Sequence, residues 1–330
     1  MRFLLGAASL IVVVAGLRAG APILIPIVVA LFLALVTFPF VAWLRKRKVP
    51  LGLSVSLTVL ASLAAVVGPG MLLAAAVREF AAAAPSYAAD LRSTVAGWSG
   101  WLAEYGVDTT DLTSFVDPTQ VLDLTVSGLS GVVTVFSVGF LVVLVAAFML
   151  IQGGQLLEKP PIDLPAGSAE NVARIIREIQ TYLGVKTVVS LMTGIVAWAW
   201  LTILDVDFAL LWGLTTFLLN YIPNLGSIMA AVPPMLLALL QHGPSSAGLV
   251  MVGFFGINSL FGYLVEPYLT GRHLRISPLV VLLSVIVWGW IWGTAGMLLS
   301  VPMTMALKIG LEYSDDLRWV ARLLEGRAPR

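Results

Sequence analysis

The sequence predicts an all-α integral membrane protein with about six full transmembrane helices, two broken or re-entrant helical hairpins and a small extracytoplasmic helical segment. Three observations predict it. Hydrophobic residues make up 59% of the chain and charged residues 11%, with a mean hydropathy of +0.98, whereas soluble domains carry about 25% charged residues. The apolar runs are long and continuous rather than alternating, which favours helices over a membrane barrel. Lys and Arg are also shared very unevenly between the two sets of loops.

Residues 1–77 hold three spans. Phe3 to Leu17 is a short apolar run behind Met1-Arg2. Ala19-Gly-Ala21 resembles a signal cleavage site, but Pro22 and a second long run directly behind it favour an uncleaved span. Pro22 to Leu44 is the second span, and the run Arg45-Lys-Arg-Lys48 after it marks a cytoplasmic end. Leu51 to Val77 is the third, with a kink expected at Gly68-Pro-Gly70.

Residues 78–125 differ. The stretch Arg78 to Asp123 has seven acids, two arginines and no spanning run. Leu91, Val95, Trp98, Leu102 and Tyr105 recur at helical spacing and give one apolar face. Such a face needs burial on the membrane interface, on the spans or on another subunit. Asp117-Pro-Thr-Gln120 has the residues of a helix start, leading into a span at 126–151.

Residues 152–186 read as a cytoplasmic loop and an amphipathic helix capped by Ser168. Val172, Ile175, Ile176, Ile179 and Leu183 lie on one side, and Glu170, Arg174 and Glu178 on the other as a solvated ion-pair face.

Residues 187–312 form the core of the reading. Val188 to Leu204 is a full span, closed by Asp205 and Asp207. Phe208 to Ile222 and Leu225 to Gln241 are two apolar arms around Pro223-Asn224, each shorter than the roughly 20 residues a span requires. Hairpin 208–241 is thus the first broken one. Leu249 to Val265 is a span with Asn258 inside it. A polar connector, Glu266 to Arg275, leads to a second broken stretch, 276–311, interrupted by Gly289, Gly293, Gly296 and Pro302. Residues 313–330 are a charged tail. With this topology Arg18, Arg78 and Arg92 lie outside and the other 16 of the 19 Lys and Arg face the cytoplasm, as do both termini.

The composition excludes several function classes. There is no cysteine, hence no disulfide framework or thiol chemistry. His242 and His273 lack partners at metal-ligand spacing, and no phosphate-loop motif is present. No nucleophile–base pair appears, so an enzyme is the least favoured class. No cofactor, metal or nucleic-acid partner is expected.

The segment Leu218 to Met235 is the best pointer to function. Irregular backbone at membrane depth is tolerated only when buried in protein or facing a water-filled cavity. Two interrupted hairpins entering from opposite faces form a recurrent transporter layout with the site between them. The candidate pathway residues are Asn220, Tyr221, Pro223, Asn224, Gly226, Ser227, Asn258, Glu266, Pro267 and Gly271. Most of the side chains with polar groups are neutral donors and acceptors, which suits a small polar solute. Carbonyls freed at Pro223, together with Glu266, also suit a monovalent cation. Glu266 and Lys308 are the main ionisable candidates within apolar sequence. The bland readings are a Pro-kinked helix, an interfacial Glu266 and a snorkelling Lys308.

Several blocks carry a family likeness: Phe208-Ala-Leu-Leu-Trp-Gly213, Asn220-Tyr-Ile-Pro-Asn-Leu-Gly226, Pro233-Pro234, Glu266-Pro267, Leu274-Arg-Ile-Ser-Pro-Leu279, Trp288-Gly289 and Gly293-Thr-Ala-Gly-Met-Leu-Leu-Ser-Val-Pro302. They resemble the autoinducer-2 exporter family, permease-like multi-pass proteins of bacteria, most clearly from Tyr182 to Leu311. The resemblance implies an inner-membrane secondary transporter without an organic cofactor, working as a homo-oligomer in the lipid bilayer. It links members to export of autoinducer-2 and some to exchange of sodium for protons. Pro223, Asn224, Gly226, Glu266, Pro267 and Gly271 match the family's polar breaks. Three functions are expected in turn: export of a small polar solute such as autoinducer-2, Na+(Li+)/H+ antiport centred on Glu266, or a non-transporting scaffold using residues 78–123.

Overall fold

The protein is described by a computed structural model covering residues 2–104, 123, 125–131, 133, 138–158, 168–223, 225–270, 277–312, 319, 320 and 324. Among these residues the regular structure is helical. The chain is a multi-pass α-helical membrane protein. Six helices are long and apolar enough to cross a membrane: Ala21–Lys46, Leu51–Thr94, Ile176–Ile203, Leu225–His242, Pro244–Leu269 and Pro278–Glu312. Gly139–Gly153 and Ala209–Leu219 are shorter apolar helices.

The first unit is built from α2 (Ala21–Lys46), α3 (Leu51–Glu104) and α4 (Gly139–Glu158), with α1 (Arg2–Ala19) alongside. Ala30, Ala34 and Ala146 lie in its core with Val41, Val55, Val142 and Leu150. Such small residues let helix backbones approach where no hydrophobic effect drives them together. Ser54, Thr58 and Ser62 are buried, and their hydroxyls donate back to carbonyls on the N-terminal side of each residue, so these three donors are satisfied within the apolar interior.

Helix α3 departs from expectation. It runs through Gly68, Pro69, Gly70 and Pro85 as one helix of 54 residues. At 1.5 Å per residue that is about 80 Å, far more than a bilayer core of about 30 Å. The third span and the start of the acidic segment are therefore one rod. Leu91 on the expected apolar face is buried. The side chains of Val95, Trp98 and Leu102, together with Tyr105 and the Asp117–Gln120 start, lie outside the described residues.

The second unit is centred on α5 (Ser168–Ile203), one helix of 36 residues that joins the expected surface helix to the expected span without a break. Against it pack α6 (Ala209–Leu219), α8 (Pro244–Asn258) and α10 (Pro278–Glu312), while α7 (Leu225–His242) packs on α6 and α8. Trp212, Leu201, Leu211, Ala230, Ala238, Val250, Phe254 and Val285 fill the core. Helices α5 and α6 meet at Gly194 and Gly213. A Cβ on Gly194 would lie 2.8 Å from the Gly213 carbonyl oxygen, and one on Gly213 only 2.5 Å from the Trp198 Cβ. A side chain there would force the backbones apart.

Both broken stretches are helical hairpins. The first begins at Phe208, left-handed at φ 58°, and its base is closed where the Asp207 amide donates to Gln241 Oε1 at 3.2 Å. Phe80 of α3 braces this base edge-on against Trp212, with centroids 5.2 Å apart. Tyr87 donates to Asp207 Oδ2 and accepts from Gln241 Nε2. The second hairpin is α10 itself, which breaks at Gly293 (φ 61°, ψ −143°). Trp288 Nε1 donates to Thr304 Oγ1 at 3.1 Å. Sixteen residues of straight helix would span about 24 Å, so the chain reverses at Gly293.

The two hairpins enter from opposite ends of α5. Glu312, closing the second hairpin, pairs with Arg174 near the start of α5. The tip of that hairpin reaches α1, where Trp292 Nε1 donates to the Leu17 carbonyl at 2.9 Å and Arg18 lies 5.1 Å over the Trp290 ring. The first hairpin has its base just beyond Ile203, at the far end of α5, and points back toward the middle of that helix.

Candidate functional site

The tip of the first hairpin is a tight turn. Gly226 N donates to the Ile222 carbonyl, Ile222 N to Leu219 and Leu225 N to Pro223. Gly226 is buried, and a Cβ on it would fall well inside van der Waals contact of the Leu219 carbonyl oxygen. Glycine is thus required by close approach, with no unusual φ involved.

The tip docks on one turn of α5. Asn220 Nδ2 donates to Ser190 Oγ at 2.9 Å. Tyr221 OH donates to Thr187 Oγ1 at 2.8 Å, and Thr187 in turn donates to the Leu183 carbonyl at 2.7 Å. Residues 183, 186, 187 and 190 share one face because three- and four-residue steps bring helical side chains together. Ser190 is fully buried.

On the same turn lies Lys186, only 5% exposed. Its Nζ is 2.9 Å from Glu266 Oε2 and 3.1 Å from Oε1, so it holds both oxygens of the carboxylate. Tyr182, also buried, lies one turn before it. Each ion would suffer a desolvation penalty of several kcal/mol without its partner. The pair, together with its hydrogen bonds, makes a buried charge tolerable.

Glu266 is delivered by an irregularity. Helix α8 ends at Asn258 and continues as a π-helical turn, Ser259–Val265, into the short α9 (Glu266–Thr270). The Glu266 amide donates to the Phe261 carbonyl, five residues back. A π turn adds one residue to the helix and rotates the residues beyond it by about 100°, and such bulges recur at functional sites. Pro267 has no N–H, so it cannot restore the ordinary ladder at that point.

The structure therefore brings together Asn220, Tyr221 and Glu266, which are 46 residues or less apart in sequence, on a helix that precedes them all. Pro223 and Gly226 shape the tip. Ser227 is half-buried in the first turn of α7, Asn258 is half-buried at the start of the π turn, and Pro267 is exposed. Asn224 and Gly271 lie outside the described residues. Gln241 closes the hairpin base. Lys308 is buried and pairs with Glu312 at 3.4 Å.

Sequence reading missed Lys186, Thr187, Ser190 and Tyr182. A signal was present. Lys186 is the sole charged residue between Glu178 and Asp205, and an ionisable group within an apolar run is a functional flag. A span that starts at Val188 leaves Lys186 in the loop. Among the described residues no group of three or more His, Cys, Asp or Glu side chains is placed to hold a metal ion. The arrangement is a compensated ion pair beside hydroxyl and amide groups, suited to a polar, uncharged ligand.

Comparison with known proteins agrees with this architecture. The family model described as AI-2E family transporter matches residues 7–315. The AI-2 transport protein TqsA of Escherichia coli K12 is 37% identical over 319 residues, covering 96% of this chain and 93% of the relative. A putative transport protein of Haemophilus influenzae is 36% identical over 98% of this chain and 96% of its own length. The putative transport protein YhhT of Escherichia coli K12 is 33% identical over 100% of this chain and 96% of its own length. With a family match over nearly the whole chain, a multi-pass helical body and a polar cluster built on broken hairpins, this chain belongs to the AI-2E family of membrane transport proteins.

Proposed function

We propose that the protein is a secondary transporter that exports a small, polar, uncharged solute through the tip of the first hairpin, with autoinducer-2 the first cargo to test. One observation carries this reading: Asn220, Tyr221 and Glu266 converge on a single turn of α5 through Ser190, Thr187 and Lys186. Two hairpins entering from opposite ends support an alternating-access layout with the site between them. The relative named as an AI-2 transport protein supports the cargo. With Lys186 buried in the bundle, 15 of the other 18 Lys and Arg lie in segments read as cytoplasmic, which supports a bacterial inner-membrane orientation with both termini in the cytoplasm. The protein works as a homo-oligomer in this reading.

The test is solute flux in proteoliposomes of the purified protein. Wild-type protein moves autoinducer-2 down its gradient. Asn220→Ala and Tyr221→Phe lower the rate about tenfold, the expected loss of one hydrogen bond of about 1.4 kcal/mol in the transport transition state. Rates equal to wild type in both correctly inserted variants would remove the site from the tip. Sodium-linked proton movement lost in Glu266→Gln would favour an antiporter instead.

A further inference from the structure

The Lys186–Glu266 pair has a consequence for coupling. Glu266 is the only acidic residue between Phe208 and Leu311, so, apart from Asp207 and Glu312 at the hairpin bases, it is the only carboxylate that the two hairpins and the helix between them can offer a cation. The ammonium of Lys186, a residue only 5% exposed, already lies within 3.1 Å of both its oxygens. That is the position a hard monovalent cation would take, since such ions bind oxygen ligands. The hydroxyls of Thr187 and Ser190 lie on the same turn of α5, where they accept hydrogen bonds from Tyr221 and Asn220.

Lys186 is also covalently tethered. A free cation must compete with a group held permanently at the site. Loss of the ammonium would leave a carboxylate in a poorly solvated position, where an uncompensated charge is strongly unfavourable. Such a site recruits a counter-ion.

We propose that the Lys186 ammonium is a tethered substitute for a coupling cation: it neutralises Glu266 at the hairpin-tip site, so the carrier works without bound Na+ or K+, and shortening Lys186 opens a monovalent-cation site on Glu266. This rests on the tip being the solute site. It assigns Lys186 a positioning and specificity role that no direct contact with solute is needed to explain.

The experiment reads cation binding apart from transport. Thermal unfolding of the detergent-solubilised protein is followed at pH 8 in NaCl, KCl and choline chloride of equal ionic strength. Wild type and Lys186→Arg show the same Tm in all three salts. Lys186→Ala gains roughly 2 °C or more in NaCl or KCl over choline, because a ligand that binds only the folded state stabilises it. The gain disappears in Lys186→Ala/Glu266→Gln. Lys186→Met, which keeps most of the apolar stem, gives the same result should the alanine variant fold poorly. A cation-independent Tm in both Lys186 variants, or a cation-dependent Tm in wild type, overturns the proposal. A third arm needs no variant: wild-type autoinducer-2 flux stays within twofold when choline replaces Na+ and K+ on both sides, and a tenfold fall would also overturn it. Absence of wild-type flux in every salt, with the Tm pattern intact, would refute the solute assignment and leave the tethered cation standing.

Discussion

Lys186 shows how one residue changes meaning with its partner. Along the chain it is a charge near the start of a span. Packed against Glu266, it is half of an ion pair whose other half is 80 residues away and 23% exposed at the side chain. Breaking a buried pair by removing one partner costs about 3–5 kcal/mol, and the partial exposure of Glu266 reduces that to about 2–3 kcal/mol by screening. Lys186→Met and Glu266→Gln should each lower the Tm in choline buffer. The double variant should lose less than the sum, because neither charge is then left alone. Strict additivity would mean that the pair contributes nothing. Gly226 offers a second test at this scale. Gly226→Ala should abolish flux or folding, because its Cβ has no room beside Leu219, whereas Gly248→Ala, with nothing within 4 Å of the added carbon, should be tolerated.

At the scale of elements, two helices do more than the pattern of apolar residues announces. Helix α3 extends past any membrane thickness and braces the base of the first hairpin through Phe80 and Tyr87. Helix α10 reverses at Gly293, whose φ of 61° and ψ of −143° are open in practice to glycine alone. Gly293→Ala is therefore strained whatever space surrounds it, and should lower the Tm of the protein by several degrees. An unchanged Tm would mean that the hairpin tip relaxes without consequence. Helices α5 and α6 cross so closely at Gly194 and Gly213 that Gly213→Leu should separate them and carry the Asn220 and Tyr221 tip away from Ser190 and Thr187. Loss of flux in a variant that still inserts would report that displacement.

For the whole molecule, the two polar networks at the ends of α5 define its axis. Arg174, Lys308 and Glu312 gather near its start, and Tyr87, Asp207 and Gln241 just beyond its end. Because the chain has no cysteine, single cysteines report side without background. Asp207→Cys should react with an impermeant thiol reagent added outside intact cells. Arg174→Cys should react only after the membrane is opened. The reverse labelling would invert the proposed orientation.

The amino-acid sequence by itself determined the helical membrane class, and it marked Asn220, Tyr221 and Glu266 as polar groups in need of partners; of the four interruptions it offered in the second stretch, the structure breaks at Gly293. These are local properties: a continuous apolar run, a proline–glycine interruption, a polar side chain where lipid cannot satisfy it. Only the tertiary structure decided what those residues touch. A hydropathy window lowered by one charge ends the span before Lys186, although pairing with Glu266 offsets that charge. The π turn that delivers Glu266 leaves no periodic trace, since seven residues are too few to change a pattern. The unbroken course of α3 through Pro69 and Pro85, and of α5 through residue 187, likewise depends on packing along the rod rather than on local propensity. Sequence reports which groups need a partner in the membrane; the fold selects the partner, because that choice is made across distances the sequence pattern does not encode.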